Sequence, residues 1–283
     1  MTRTALLVSH PTRPEALAAA REAEDALVAA GFTVRVADGA SQADLSDVEV
    51  AVVLGGDGTI LRAAYLTRGT GVPILGVNLG HVGFLAESER EDITAAAERL
   101  AARDYEVEER GTLDVTVLHE GTTQHEWALN EVTVERAHPG RMLEVAVEVD
   151  GRPLSAFGCD GVVMSTSTGS TAHAFSAGGP VVWPEVDAML LVPLSAHALF
   201  ARPLVVGPRS LLAIEILARS STAGTLSADG ARGLELPVGA RIEVRRSPVP
   251  VRLARLSPAP FTDRLVRKFA LPVAGWRGRP QEG

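Results

Sequence analysis

Lysine is almost absent from this sequence, and its scarcity excludes the commonest kind of nucleotide site. The single lysine among 283 residues, Lys268, follows no glycine-rich loop. A P-loop requires a Gly-Lys-Ser/Thr ending, because its lysine contacts the phosphates of the nucleotide. The Gly-x-Gly-x-x-Gly fingerprint of dinucleotide-binding folds is absent as well. Any phosphate site in this chain must therefore be of another kind.

Cysteine, long apolar runs and basic clusters are also scarce. Cys159 is the only cysteine, so no disulfide can form within the chain, and a reducing cytoplasm is the expected compartment. No apolar run approaches the roughly 18 residues of a membrane span, and no signal-peptide core follows Met1. The net charge of −8, without basic clusters, argues against binding to nucleic acid or to an anionic membrane. Small molecules and further copies of the chain are the expected partners.

The stretch Gly55-Gly56-Asp57-Gly58-Thr59 carries the clearest sign of function. It follows the apolar run 50–54 and precedes apolar residues at helical spacing, which predicts a strand, a tight turn and a helix over 60–68. Glycines let backbone amides approach a ligand, and the amino end of a helix favours an anion. A carboxylate in such a phosphate site suits a general base or a magnesium-associated group in phosphoryl transfer. A plain turn with Asp57 as the helix N-cap remains open.

The pattern of the chain changes near residue 105. Before it, strands alternate with helices, which predicts an α/β domain over 1–104 with a mostly parallel sheet and ligands beyond the carboxyl ends of its strands. A capping box at Ser88 and Glu91 predicts the start of the last helix of this domain. From 105 to 256 a period of two predicts a β-rich, mostly antiparallel domain, with late strands at 211–217, 223–228, 233–236 and 240–246.

One stretch interrupts the β pattern of the second half. A strand over 161–164 leads into a turn in which six of the seven residues 165–171 are Ser or Thr, and a short helix follows. So many hydroxyls exceed what one helix cap needs, although an ordinary Ser/Thr turn remains open. A second helix amino terminus lined with hydroxyl groups is predicted here.

Four segments in this order resemble the NAD kinases, which make NADP by phosphorylating the 2′-hydroxyl of the adenosine ribose of NAD. The segments are Gly55–Thr59, Asn130–Glu131, residues 160–180 with Thr168-Gly169-Ser170-Thr171-Ala172 and Ser176-Ala177-Gly178-Gly179-Pro180, and residues 262–269. The first segment alone is shared with lipid kinases of the diacylglycerol type and, loosely, with phosphofructokinases. All four together, spread across nearly the whole chain, are specific.

The resemblance implies an α/β nucleotide-binding domain, a β-rich domain that binds NAD, and a tail over 257–283 that packs back on the first domain. It also implies ATP or inorganic polyphosphate as the donor, a divalent ion such as Mg²⁺, and a homodimer or homotetramer in which a neighbouring subunit can lend residues to the site. No side chain is identified as a direct metal ligand.

The resemblance also suggests roles for particular residues. Asp57 would take the proton from the ribose hydroxyl, whose ordinary pKa is too high for attack without a base. The nucleotide site would include Gly55, Gly56, Gly58, Thr59, Arg62 and, from a second glycine-rich loop over 78–84, Phe84. NAD would be bound by Asn130 and Glu131 at the adenosine half, by Asp160 at the nicotinamide end, and by Thr168, Thr171, Ala172, His173 and Ser176. Arg141 would face a ligand phosphate, or it is a surface arginine.

Two positions depart from the family pattern, which commonly has proline at Ser167 and tyrosine at His173. Loss of the proline is expected to loosen the turn. Loss of the tyrosine puts ligand affinity and its pH dependence in question.

Two other functions remain open. A lipid kinase would share the first segment, but this sequence lacks a membrane-docking segment. A non-catalytic NAD sensor would keep Asn130 and Asp160 without metal-dependent turnover.

Overall fold

The computed structural model describes residues 3–37, 45–80, 83–86, 88–257 and 260–273. The chain forms two compact units, Met1–Glu109 with Val251–Gly283, and Arg110–Pro250. The first has a mostly parallel sheet with helices, and the second is built from antiparallel sheets, so the predicted fold class is confirmed. Parts of the predicted C-terminal tail, 258–259 and 274–283, lie outside the described residues.

Helices and strands follow one another along the described chain in a fixed order. They are β1 (Arg3–Ser9), α1 (Pro14–Ala29), β2 (Phe32–Val36), β3 (Val48–Leu54), α2 (Asp57–Thr67), β4 (Ile74–Asn78), β5 (Ser88–Glu89), α3 (Ile93–Ala102), β6 (Glu106–Arg110), β7 (Leu113–His119), β8 (Thr122–Ala128), β9 (Glu131–Arg136), β10 (Leu143–Val149), β11 (Arg152–Cys159), β12 (Gly161–Thr166), α4 (His173–Ser176), β13 (Met189–Leu194), β14 (Leu204–Val206), β15 (Leu211–Ile216), β16 (Gly224–Ala228), β17 (Arg232–Leu236), β18 (Arg241–Arg246), β19 (Val251–Arg255) and α5 (Phe261–Phe269). Single 3₁₀ turns occur at Arg90–Asp92 and Thr168–Thr171.

The sheet of the first unit has the order β2-β1-β3-β4-β19-β6, with β5 beside β4. Strands β1 to β4 pair in parallel. Val50, Val52 and Leu54 share a core with α1 and α3, so by strand alternation Ala51 and Val53 face the other side. Because both faces of β3 are covered, its sequence reads as the continuous apolar run seen at 50–54. The turn after it lies at the carboxyl edge of this sheet.

Three predicted boundaries in the first unit differ from the structure. The helix after the glycine turn begins at Asp57 rather than at residue 60. Ser88 lies in the short strand β5, and α3 begins at Ile93, so the predicted capping box does not start the helix. Strands β6 and β19 belong to the first sheet, although their period of two placed 105–110 and 251–256 in the β-rich half. A strand's local pattern does not say which sheet it joins, because its partner is distant in sequence.

The second unit consists of two six-stranded sheets, β11-β10-β15-β18-β7-β8 and β14-β13-β12-β9-β16-β17. Inward side chains of both sheets form one core, which includes Val115, Val134, Met164 and Ile242. On β12, Met164 faces this core, while Val163 packs against Ala174 of α4 on the opposite face. Strand β12 is therefore buried along its whole length, and the hydroxyl-rich turn that follows it starts from a rigid base.

Candidate functional site

The glycine turn 55–59 has one tight side and one open side. Gly55 has φ of +148°, and a Cβ there would lie 2.5 Å from Thr59 Oγ1, so only glycine fits. A Cβ at Gly56 or Gly58 would meet no atom within 4 Å. The peptides of Gly56 and Gly58 are thus left uncovered at the amino end of α2, where a ligand's phosphate can approach them.

Asp57 does not cap its own helix, because Gly56 occupies the N-cap position and no side chain caps α2. The carboxylate of Asp57 instead accepts hydrogen bonds from the backbone N–H of Phe84, at 3.2 Å, and of Leu85, at 3.1 Å. A Cβ at Gly83 would lie 2.5 Å from Asp57 Oδ1. The N-cap interpretation is wrong, and the structure shows a carboxylate clamped by the second glycine-rich loop with acceptor capacity to spare.

A cavity of about 500 Å³ opens beside this turn. It is lined by His10, Pro11, Arg13, Gly56, Gly58, Thr59 and Arg62. The Arg62 guanidinium is anchored by a 2.8 Å bond from Nη2 to the carbonyl of Ser9, and its buried Nε has no hydrogen-bond partner within the described ranges. Two arginines and the amino end of α2 therefore face one space, which favours an anion.

Sequence reasoning missed three residues of this cavity, those at positions 10, 11 and 13. They follow β1 directly, as the glycine turn follows β3. Because the carboxyl ends of neighbouring parallel strands meet at one sheet edge, the position of 10–13 after a buried strand was an available signal.

Phe84, predicted in the nucleotide site, is not among the residues that line the cavity. Its ring is buried and packs against α5, with its centroid 5.8 Å from that of Phe261 and 6.0 Å from that of Phe269. The backbone carbonyl of Phe84 accepts a hydrogen bond from Arg264. Within the first unit, α5 thus holds the loop whose amides hold Asp57. This helix, Phe261–Phe269, contains the fourth of the segments that resemble the family.

Asn130 and Glu131 form a polar centre within the second unit. Both side chains are buried, and Asn130 Oδ1 and Glu131 Oε2 have no hydrogen-bond partner in the described parts of the chain. The backbone around them is held by Thr166, whose hydroxyl donates to the carbonyl of Leu129 at 2.7 Å and accepts from the N–H of Gly169 at 3.1 Å. Buried polar atoms without a protein partner are suited to bind a ligand.

The acidity of Glu131 is strongly perturbed. Burial raises the pKa of the Glu131 carboxyl to about 7, the negative charge of Asp229 adds to this, and a hydrogen bond from the His173 backbone partly opposes it. Burial also raises the pKa of Asp229. Asp229 was not singled out from the sequence, where Asp229-Gly230 carries only the signal of a hairpin turn.

The close approach of Gly169 to Asn130 gives a test of this centre. A Cβ at Gly169 would lie 2.5 Å from the carbonyl carbon of Asn130, closer still to its oxygen, and 2.6 Å from Ser165 Oγ. We expect Gly169→Ala to lower the free energy of unfolding by about 2 to 3 kcal/mol, because the backbone cannot move aside cheaply. Gly207→Ala is the control, since a Cβ there meets nothing within 4 Å. Equal urea midpoints for the two variants would contradict this packing.

Asp160 and Arg141 do not join Asn130 and Glu131. Glu131 pairs with Ser165, whereas Glu135 pairs with Gly161, so Asp160 lies at the opposite end of this strand pair, about 16 Å away. Asp160 there forms an ion pair of 3.0 Å with Arg136. Arg141 is exposed and donates to the carbonyl of Ser221 at 2.8 Å, which fits the surface interpretation.

The hydroxyl-rich turn lies beside Asn130, as its position after β12 requires. Thr168 is buried and contacts Arg110, while Thr171, Ala172 and His173 are half-buried and Ser176 is exposed. Ser167 has φ of −58°, which a proline would also adopt, and its hydroxyl donates to the carbonyl of Val186. A proline could not make this hydrogen bond. The bond tethers the turn at Ser167, the first of the two positions that depart from the family pattern. His173 contributes its backbone N–H to Glu131.

Neither a metal-ligand cluster nor a membrane-spanning helix occurs in the part of the chain that the structure describes. No three His, Cys, Asp or Glu side chains among the described residues converge on one point. None of the helices that the structure describes is long and apolar enough to cross a bilayer. An ion held mainly by the phosphates of a substrate, with one protein carboxylate, needs no such cluster.

Comparison with known proteins defines the class. A family model for the ATP-NAD kinase N-terminal domain matches residues 40–105, and one for the ATP-NAD kinase C-terminal domain matches residues 129–256. With the uncovered glycine turn, these matches define a phosphotransferase.

Full-length relatives identify the family. The chain is 56% identical to an NAD kinase of Thermobifida fusca, over 99% of this chain and 93% of the relative. It is 58% identical to an NAD kinase of Leifsonia xyli, over 98% and 97%. The chain belongs to the NAD kinase family, and its reaction is the phosphorylation of NAD.

Two solved structures show the same fold. An NAD kinase from Archaeoglobus fulgidus in complex with ATP has a TM-score of 0.76 at 28% identity, covering 95% of this chain and 99% of that one. Yeast NADH kinase complexed with NADH has a TM-score of 0.88 at 21% identity, covering 96% and 88%. The likeness to the yeast protein concerns the fold alone.

Proposed function

We propose that Asp57 is the general base that takes the proton from the 2′-hydroxyl of the adenosine ribose of NAD. The observation that carries this role is the pair of backbone hydrogen bonds, at 3.2 and 3.1 Å, that orient the carboxylate at the amino end of α2. Each carboxylate oxygen accepts one of these bonds and keeps a further lone pair, so either oxygen can receive the hydroxyl proton while the two amides hold the group in place.

The donor's phosphates are proposed to occupy the cavity beside the turn. Gly56 and Gly58 leave peptide groups uncovered there, and the guanidinium groups of Arg13 and Arg62 face the same space. In this arrangement the negative charge of the transferring phosphoryl group is stabilised by groups already in position, which is the main protein contribution to phosphoryl transfer. The Archaeoglobus relative was solved with ATP, which supports ATP as the donor.

Mg²⁺ is the proposed cofactor, and the residues present fit it. Mg²⁺ is held in proteins by one or two carboxylates together with substrate phosphates. Asp57 does not itself line the cavity, but it lies between Gly56 and Gly58, which do. When bound, the ion would neutralise charge on the phosphates of the donor. Each oxygen of Asp57 would keep its hydrogen bond to one loop amide and use its remaining acceptor capacity in the site.

NAD is proposed to bind through its adenosine half at Asn130 and Glu131, with the turn 168–176 beside it. The buried oxygens Asn130 Oδ1 and Glu131 Oε2 carry this assignment. Asp160 lies about 16 Å away along the strand pair, so we propose that it serves the nicotinamide end in a homodimer or homotetramer, where copies of the chain share the site. The cytoplasm is the proposed compartment.

The first experiment is NADP production from NAD, with ATP and Mg²⁺ in one arm and inorganic polyphosphate in the other, read by an NADP-specific dehydrogenase. Turnover with ATP would support the binding of a nucleoside triphosphate in the cavity. Turnover with polyphosphate alone would mean that polyphosphate, and not ATP, is the donor that binds there. NAD binding by calorimetry without turnover in either arm would contradict the proposal and favour the sensor.

A variant of Arg13 tests the donor site. We expect Arg13→Ala to raise the KM for ATP by about tenfold and to leave the KM for NAD unchanged, because a charge-assisted hydrogen bond to phosphate is lost. Arg21→Ala, at an exposed position of α1, is the matched control. If Arg13→Ala and Arg21→Ala have the same KM for ATP, the donor does not bind in this cavity.

A further inference from the structure

The turn between β16 and β17 is tied to Asn130 and Glu131 more closely than a hairpin needs. The carboxylate of Asp229 accepts from the backbone N–H of Leu129 at 2.9 Å, of Asn130 at 2.8 Å and of Glu131 at 3.3 Å. The N–H of Asp229 donates in return to the carbonyl of Glu131 at 3.0 Å. Asp229 has φ of +50°, a strained value for a residue other than glycine.

A partly buried arginine completes this arrangement. Arg232 Nη2 donates to Asp229 at 3.3 Å and to the carbonyl of Trp127 at 2.7 Å, and Nη1 donates to Glu126 at 3.1 Å. The guanidinium also lies 4.7 Å from the ring centroid of Trp127. The Asp229 side chain is only 5% exposed, so its charge is screened by Arg232 rather than by water.

We propose that Asp229 and Arg232 are positioning residues for the NAD site, which hold Asn130 and Glu131 in place and set the charge that Glu131 presents to the adenosine half. This inference rests on the proposed binding of NAD at these residues. Its structural basis is that Asp229 binds the backbone on both sides of Asn130, while the side-chain oxygens of Asn130 and Glu131 stay buried without partners among the described residues.

The electrostatic part follows from the groups that face Glu131. Asp229 acts on it from the β16–β17 turn, the His173 backbone N–H from α4, and Arg232 through its ion pair with Asp229. The Asp229 charge disfavours ionisation of Glu131, and Arg232 moderates that effect. Removing Asp229 should lower the pKa of Glu131, whereas removing Arg232 should raise it. If Asp229 and Arg232 had a purely structural role, their removal would not shift the pKa of Glu131 in opposite directions.

The test compares Asp229→Asn and Arg232→Ala in the full chain. We expect Asp229→Asn to raise the KM for NAD by about tenfold with a smaller change in kcat, because the Asn130–Glu131 backbone is less well held. In the pH profile of kcat/KM for NAD, the ionisation that disappears in Glu131→Gln should shift to lower pH in Asp229→Asn and to higher pH in Arg232→Ala. Shifts in the same direction, or none, would overturn the proposal.

A matched control exists in the same unit. Asp150 also has positive φ, at +54°, in an Asp-Gly hairpin turn, and its carboxylate accepts from the Leu211 N–H at 2.8 Å. Asp150→Asn should leave the KM for NAD and the pH profile unchanged. Equal effects of Asp150→Asn and Asp229→Asn would mean that Asp229 has only a structural role.

If Glu131→Ala leaves the KM for NAD unchanged, the NAD site itself is misplaced. If Glu131→Ala raises this KM but the Asp229 and Arg232 variants have no effect, only the positioning role fails.

Discussion

Asp57→Asn is expected to reduce NADP formation by about 10²- to 10⁴-fold while NAD still binds, because an amide cannot take the hydroxyl proton. The structure adds a second effect. Asn offers one acceptor oxygen where the carboxylate uses two, at Phe84 and Leu85, and its NH₂ group would face one of these N–H donors. Turnover under saturating NAD and ATP, with NAD affinity measured by calorimetry, separates lost chemistry from lost binding.

The control for Asp57→Asn must separate the loss of the base from a loosening of the loop that contains Phe84. Asp104→Asn removes a surface carboxylate of the same unit, which pairs with Arg99, and should leave turnover unchanged. Thermal unfolding of Asp57→Asn shows whether the loop that contains Phe84 has loosened. A stable Asp57→Asn enzyme that keeps most of its turnover would remove Asp57 from the role of base.

Glu131→Gln is expected to make the protein more stable at pH 8 and to weaken NAD binding. The folded-state pKa of about 7 lies above the ordinary value of 4.5, so the folded state binds this proton more tightly than the unfolded state does. The contribution of Glu131 to stability is therefore fully present below pH 4.5 and is lost as the pH rises from 4.5 through about 7. The full loss corresponds to about 3 kcal/mol, which Gln avoids.

Urea unfolding at pH 4.5 and at pH 8 measures this effect. The gain of Glu131→Gln over the native chain should be large at pH 8 and should vanish near pH 4.5. Glu135→Gln, on the same strand but less buried, is the control for the substitution itself. A gain that is equal at both pH values would mean that Glu131 is not protonated in the folded protein near neutral pH.

Much of the fold was predictable from local pattern. The late strands predicted at 211–217, 223–228, 233–236 and 240–246 agree with the structure to within a residue or so. These elements have clear apolar periodicity and are bounded by glycine or proline, so short-range physics decides them. The capping box at Ser88 failed because β5 pairs with β4, and a tertiary partner overrides a local capping preference.

The two polar centres differ in how far the sequence reveals them. The glycine turn is visible as a strand, three glycines and a helix, because its backbone requirements are local. The contacts that orient its carboxylate come from the loop at 83–85, and one of the two arginines of its cavity, Arg13, follows another strand. Neither contribution is adjacent in sequence, and no spacing rule connects them.

The amino-acid sequence alone was enough to assign the class of fold and, through four segments in a set order, the family. The folded chain was needed to show that β6 and β19 join the first sheet, that Phe84 packs in an aromatic cluster, and that Asp229 faces Glu131 from 98 residues away in sequence. These features escape sequence patterns because burial and charge act through space. The pKa of Glu131 depends on neighbours that the chain brings together only when it folds.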